Sequence, residues 1–308
     1  MNKPIAPRRP TRPLTAAVKI RRVEAVVNPA AGGVAPESAA ALERLLTEFK
    51  VKSRVRTPDE GTIEEILQDA LDAQPDVLIV LAGDGTASLA ADLCGPKGPM
   101  LVALPGGTMN MLPRALYGNL AWRDVVIACL EQGQPRAVSC GEVDGQRFYC
   151  VAILGSPAFW QPAREAARSG RLIEAWSRAV VAFRRAFTTR LRFQVEGCPK
   201  RRAIALSLIC PTVSKALDKE KALEAAGLDL HDVIEVFRLG LNNMMGDWRR
   251  DPSVTTELCV KGRAWGRSRI PCLLDGEMTW LPRSADIRFV PKAFSALAPP
   301  LPPASAPS

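Results

Sequence analysis

The sequence predicts an α/β N-terminal domain, a doubly wound, Rossmann-like parallel sheet, followed by a β-rich sandwich in the C-terminal domain. Three observations predict it. From Val23 to about residue 135, apolar strand-like runs alternate with segments of helical period. Two of those apolar runs end directly in glycine turns. From residue 136 the pattern changes to short strand-like runs following one another, interrupted by one long helical stretch over 160–188.

The elements follow in chain order. "VEAVVN" reads as a short buried strand ending at the turn "NPAAGG", and "ESAAALERLLTEF" has helical spacing. "KSRVR" is the next strand. "TIEEILQDAL" opens with Thr62 and Glu65 three residues apart, a capping box that satisfies the first free N–H groups of a helix. "DVLIVLAG" and "MLVALPGGT" are continuous apolar runs of the kind found in parallel strands buried on both faces. Between them, "SLAADLC" is a short helix. Residues 136–154 predict a hairpin turning at Asp144-Gly145. "RLRFQVE", "RRAIALSLI", "DVIEVFRL", "ELCVKGRAWGRSRIPCLLDGEMTW" and "ADIRFVP" then supply sandwich strands.

The ends are different. Prolines at 4, 7, 10 and 13 suit a polyproline II segment, and five prolines crowd the last ten residues. The expected organisation is therefore a disordered basic tail (1–21), an α/β domain (22–140), a β-sandwich (141–295) carrying the helical insert 160–188, and a disordered proline-rich tail (296–308).

Composition narrows the chemistry. The net charge of +9 is concentrated at the start: residues 1–22 hold seven basic residues and no acid, and the remainder is nearly balanced. A nucleic-acid-binding fold would carry its excess on the folded face, so no specific nucleic-acid partner is expected. The eight scattered cysteines, with no C-x-x-C pair, read as reduced core thiols. Neither a membrane-spanning run nor an apolar leader is evident, so a cytoplasmic location is expected. His231 is the only histidine, which excludes His-Glu-x-x-His zinc sites and leaves nucleophile–histidine catalysis only if His231 is the base. Carboxylates, backbone amides and a hard cation remain.

Two turns carry the chemistry, Ala82-Gly83-Asp84-Gly85-Thr86 and Pro105-Gly106-Gly107-Thr108-Met109-Asn110. In an open α/β sheet, loops at the carboxyl ends of strands line the ligand crevice. Glycines there permit positive φ and close backbone approach to phosphate, and Thr86 is placed to cap the following helix. Gly83-x-Gly85-x-x-Ser88 comes near a dinucleotide fingerprint but lies on about the third strand, and no Walker A sequence is present.

"VVNPAAGG", "LAGDGTAS", "LPGGTMNM" and, further on, "LLDGEMTW" resemble, in this order, motifs of the diacylglycerol kinase catalytic domain family, which includes bacterial lipid kinases and sphingosine kinases and to which NAD kinase is more distantly related. The resemblance implies an NAD kinase/diacylglycerol kinase-like fold with a cleft between its two domains. It implies ATP contacted by Asn28, Thr57, Gly83, Asp84, Gly85, Thr86, Gly107, Thr108 and Asn110, with Mg²⁺ neutralising phosphate charge. It further implies that a lipid hydroxyl, diacylglycerol by default, is deprotonated by Glu277 with Asp275 in support, and that Asp84 faces Mg²⁺ or a ligand hydroxyl.

Departures from the family pattern are local. Ser88-Leu89 stands where Asn-Glu is usual, Met111 where bacterial members commonly have Asp, Ala82 where Gly is usual, and His231-Asp232 where an Asp-Gly often supports a structural Mg²⁺. Two other readings stay open on this account: a catalytically weak nucleotide- or lipid-binding protein on the same fold, and a kinase of a soluble substrate nearer to NAD kinase. Finally, residues 164–193 hold eight arginines against two glutamates, with Leu172, Trp176, Val180, Phe183 and Phe187 on one helical face. Besides ordinary core packing, this stretch allows peripheral docking on the inner face of an anionic membrane.

Overall fold

The computed structural model describes residues 18–49, 51–58, 61–155, 190–214, 221–229, 249, 252 and 254–300. The helical insert 160–188, the strand expected at 232–239, His231, Asp232, most of the N-terminal tail and residues 301–308 lie outside the described residues, as does the amphipathic face assigned to 164–193 apart from its last four positions.

Strands β1 (Arg22–Val27), β2 (Lys52–Arg56), β3 (Val77–Ala82) and β4 (Met100–Pro105) form a parallel sheet in the order β2-β1-β3-β4. Helices α1 (Ser38–Glu48), α2 (Ile63–Asp72) and α3 (Asp84–Cys94) alternate with them, and α4 (Met111–Tyr117) and α5 (Trp122–Gln132) follow β4. Every residue of β3 is buried, which is why its sequence is continuously apolar rather than alternating. The predicted capping box is present at the start of α2. Glu65 N–H donates to the Thr62 hydroxyl at 3.2 Å, Thr62 N–H donates to the Glu65 carboxylate at 2.7 Å, and these bonds hold the Glu65 carboxyl below its ordinary value.

The chain then makes β5 (Gln134–Val143), β6 (Gln146–Phe148), β7 (Val151–Gly155), β8 (Leu191–Val195), β9 (Arg201–Ala203), β10 (Ala205–Ile209), β11 (Leu223–Leu228), β12 (Val254–Cys259), β13 (Lys261–Trp265), β14 (Ile270–Leu274), β15 (Glu277–Leu281) and β16 (Ser284–Ala298). Strands β12-β11-β10-β7-β14-β15 form a six-stranded antiparallel sheet. It packs against β16, β13 and β8 through a second core that includes Leu154, Phe193, Leu206, Leu223 and Phe289. Two-residue turns close the β5–β6 and β14–β15 hairpins. Asp144 (φ 51°) and Gly145 (φ 78°) form one, Asp275 (φ 45°) and Gly276 (φ 96°) the other, the paired positive φ that Asp-Gly favours in a type I′ turn.

The long strand β16 departs from the sequence expectation. A tail was expected from residue 296, yet Ala296 pairs with Leu101 of β4, and Ala293, Phe294, Ala296, Leu297 and Ala298 are buried in the first core. The first half of β16 pairs with β13 in the sandwich and the second half pairs with β4, so the parallel strands and β16-β13-β8-β9 form one continuous sheet, separate from the six-stranded one. The run "AFSALA" carries too few large apolar residues to read as a strand, but Ala fits where β4 and β5 pack from both sides.

Candidate active site

The order β2-β1-β3-β4 puts a topological switch point between β1 and β3, where successive crossovers leave in opposite directions and open a crevice at the strand ends. Three loops meet there: Asn28–Gly33 after β1, Gly83 after β3, and Gly106–Asn110 after β4. They are bonded to one another. Gly33 N–H donates to Gly106 O at 2.9 Å, and Gly106 N–H donates to Ala82 O at 3.1 Å.

Positive φ, the expected use of the loop glycines, is not what they provide. Gly83 has φ −77°, and the left-handed residue at the second turn is Asn110, with φ 52°. The glycines are needed for close approach. A Cβ on Gly107 would lie 2.9 Å from Gly83 Cα, and one on Gly106 would lie 2.8 Å from Val34 and 2.9 Å from the Ala82 backbone. On Gly85 it would lie 2.7 Å from Glu277 Oε1. Nor does Thr86 cap the helix: α3 begins at Asp84, with Gly83 in the capping position and Thr86 inside the first turn.

Asp84 ties the two turns together. Its carboxylate accepts from Asn110 N–H at 2.8 Å and from Met111 N–H at 2.6 Å, so it occupies the open amides at the start of α4. The family motif placed this acid opposite a metal or ligand hydroxyl; here both oxygens already accept from backbone. Asn110 is likewise turned onto its own loop, accepting from Gly107 N–H at 2.7 Å and donating to Gly107 O at 2.9 Å.

Asp275 occupies the tip of the β14–β15 hairpin and accepts three backbone N–H groups, from Tyr149 (2.6 Å), Cys150 (2.8 Å) and Val151 (2.9 Å). Burial, helped by the nearby Asp84 charge, raises its carboxyl above the ordinary value, and the three N–H donors oppose that rise. Asp275 thereby locks the hairpin onto β7, and the hairpin delivers the exposed Glu277 over Gly85.

A cavity of about 400 Å³ is lined by Asn28, Gly32, Gly83, Asp84, Gly85, Thr86, Gly107, Thr108, Asp275 and Glu277, among others. Residues 30–32, Met109 and Gly276 also line it; the "NPAAGG" turn that supplies the first three was legible, but its small residues gave no sign of their role. Two expected nucleotide contacts, Thr57 at the end of β2 and Asn110, are not among the lining residues. A second cavity, about 420 Å³, shares Asp84, Gly85, Asp275 and Glu277 with the first and extends past Ser88, Leu89, Asp92, Gln146, Arg147, Met278 and Thr279. Asp92 there accepts from Tyr149 Oη at 2.6 Å and from Arg147 at 3.2 Å. Sequence reasoning did not find Asp92, Arg147 or Thr279, because nothing in their local spacing marks them. Among the described residues, no cluster of three or more His, Cys, Asp or Glu side chains could hold a metal ion.

The fold and cleft define an α/β domain joined to a β-sandwich, with glycine loops and a hairpin carboxylate facing each other. Residues 22–143 match the family model of the diacylglycerol kinase catalytic domain, which supports a phosphotransferase of that family. No curated protein matches the chain. Among solved structures, the chain is similar to a diacylglycerol kinase from Bacillus anthracis at 15% identity and a TM-score of 0.66, covering 92% of this chain and 98% of that one. A second Bacillus anthracis protein aligns at 16% identity and a TM-score of 0.72, over 93% and 98%. An NAD kinase from Archaeoglobus fulgidus, solved in complex with ATP, aligns at 11% identity and a TM-score of 0.50, over 89% and 92%. At these identities the structural likenesses establish the fold.

Proposed function

We propose that this chain is an ATP-dependent lipid kinase that transfers the γ-phosphoryl group to a lipid hydroxyl, with diacylglycerol as the default acceptor. The observation that carries the reading is the position of Glu277. Its carboxylate lies against Gly85 on the wall shared by two cavities, one formed by the glycine loops and the other reaching toward Ser88 and Thr279.

In this reading the nucleotide phosphates lie against the glycine loops, near Gly83, Gly85, Thr86, Gly107 and Thr108, where close-packed backbone leaves room for an anion. The cavity suits that ligand: small residues line it, and the start of α3 faces it. Mg²⁺ would neutralise phosphate charge; Asp84, which lines the cavity and has acceptor capacity left on each oxygen beyond its bond to a backbone amide, is the residue that would face it. An alcohol is a poor nucleophile, so Glu277 takes its proton as the oxygen approaches the phosphorus. Asp275 acts by holding the hairpin, and Asp84 also fixes the two turns.

One observation favours the weak-binder reading: Ser88 and Leu89 line the second cavity, where the family's usual Asn-Glu would add a carboxylate and an amide. The test is transfer from labelled ATP with Mg²⁺ to a panel of lipids in mixed micelles, with soluble alcohol acceptors, NAD included, run in parallel. Glu277→Gln should lower transfer by about 10²- to 10⁴-fold while leaving ATP binding intact. Undiminished transfer in that variant would remove Glu277 as the base. ATP binding without transfer to any acceptor would establish the binding-protein reading.

A further inference from the structure

Away from the cleft, a cavity of about 420 Å³ opens on the β8–β9–β13 face and is lined by Arg190, Leu191, Arg192, Arg202, Trp265, Gly266 and Arg267. Strand register explains the convergence. Arg202 on β9 stands directly opposite Arg192 on β8, and Arg192 stands directly opposite Trp265 on β13. These three residues therefore form one row on one face, while Leu191 and Phe193 point into the core on the other. Arg267 follows in the turn after β13, and the Lys200 ammonium sits 5.2 Å from the Trp265 ring centroid.

The row is electrostatically uncompensated. Arg190 pairs with Asp229 at 3.5 Å, but among the described residues Arg192, Arg202 and Arg267 have no ion-pair partner, and no carboxylate lines the cavity. Like charges directly opposite on neighbouring strands destabilise a sheet, and an anion held between Arg192 and Arg202 would relieve that repulsion. The guanidinium fork matches phosphate oxygens two at a time.

We infer that this cavity is a phosphate-binding site for the headgroup of an anionic phospholipid, separate from the cleft and independent of the activity proposed for it. The half-buried Trp265 selects a lipid over a free phosphate. An indole flanked by cations suits the boundary between headgroup and water, where an amphipathic ring is partly wet and partly covered.

The full chain should co-sediment with phosphatidylglycerol-containing vesicles. The double variant Arg202→Gln/Arg267→Gln should weaken that binding by about fivefold per arginine, hence roughly twenty-five-fold. The basic N-terminal tail also attracts such vesicles, so the control is Arg44→Gln/Arg54→Gln, which removes equal charge from exposed positions elsewhere. It should bind like the parent, and thermal melts establish that both variants are folded. Equal losses in the two variants, or no loss in either, would overturn the site. Calorimetric binding of inorganic phosphate that depends on Arg202 and Arg267, with vesicle binding indifferent to them, would overturn the lipid assignment.

Discussion

Replacing Asp84 by alanine separates a residue that acts only on ligands from one that also holds the loops. Its carboxylate accepts two backbone N–H groups, at 2.8 and 2.6 Å, at the start of α4. Hydrogen bonds to a charged group contribute roughly 1.5–3 kcal/mol each. The site is half-buried and water can reach the released amides, so the lower figure applies, and the pair amounts to about 3 kcal/mol. For a chain of this size that corresponds to a fall of about 5–10 °C in melting temperature. Asp84→Asn keeps one acceptor oxygen and should lose about half as much. Calorimetric melts of the ligand-free protein give the answer without any assay of turnover. An unchanged melting temperature in Asp84→Ala would refute the reasoning and return Asp84 to a purely chemical role.

Other expectations can be checked as directly. Gly106→Ala drives a Cβ into the Ala82 backbone and Val34, and overpacking of this kind should cost about 1–3 kcal/mol in urea unfolding. Seven of the eight free cysteines are buried, and burial pushes thiols such as Cys94, Cys129 and Cys272 up to about 12. A thiol reagent at mildly alkaline pH should therefore label Cys198 first and the others only on unfolding. The Asp275 carboxyl is raised in the folded chain, which therefore binds its proton more tightly than the unfolded chain does. That contribution to stability is present at low pH and is lost as pH rises from 3.8 through the raised value. Asp275→Asn should flatten the slope of unfolding free energy against pH in that window, measured with urea; an unaltered slope would mean another group carries it.

Much of the architecture was legible because the physics behind it is local. The unbroken apolar runs at 77–82 and 100–105 read as strands covered on both faces, and Thr62 with Glu65 marked a helix start that the structure forms. The Asp-Gly pair at 144 marked a tight turn for the same reason, whereas Asp275-Gly276, taken for its carboxylate, proved to close a hairpin as well. What escaped was set by distant partners. Asp84 lines the cleft as expected, but its second task, holding the start of α4, was hidden because its hydrogen-bond donors are 26 and 27 residues away. The loop glycines suggested unusual dihedrals, but the constraint is a distant neighbour: the backbone of Gly83 for Gly107, Val34 and Ala82 for Gly106, and the Glu277 side chain for Gly85. Arg192 and Arg202 meet only because β8 and β9 pair. Residues 296–298 resembled the proline-rich tail that follows them, since only pairing with β4 distinguishes them.

That last pairing bears on how the protein comes into being. The sheet that holds the glycine loops is completed by a strand from the far end of the chain, with Ala296 beside Leu101 and Phe294 wedged edge-on against Tyr149 at 5.4 Å. During synthesis, the residues that match a catalytic domain leave the ribosome well before the strand that closes their core. Closing so large a loop is slow, and until it happens the open side of β4 is an unpaired sheet edge. The matched segment alone is thus not a natural unit for expression. A chain cut before residue 290 should aggregate or remain loosely packed, even though every glycine turn is present.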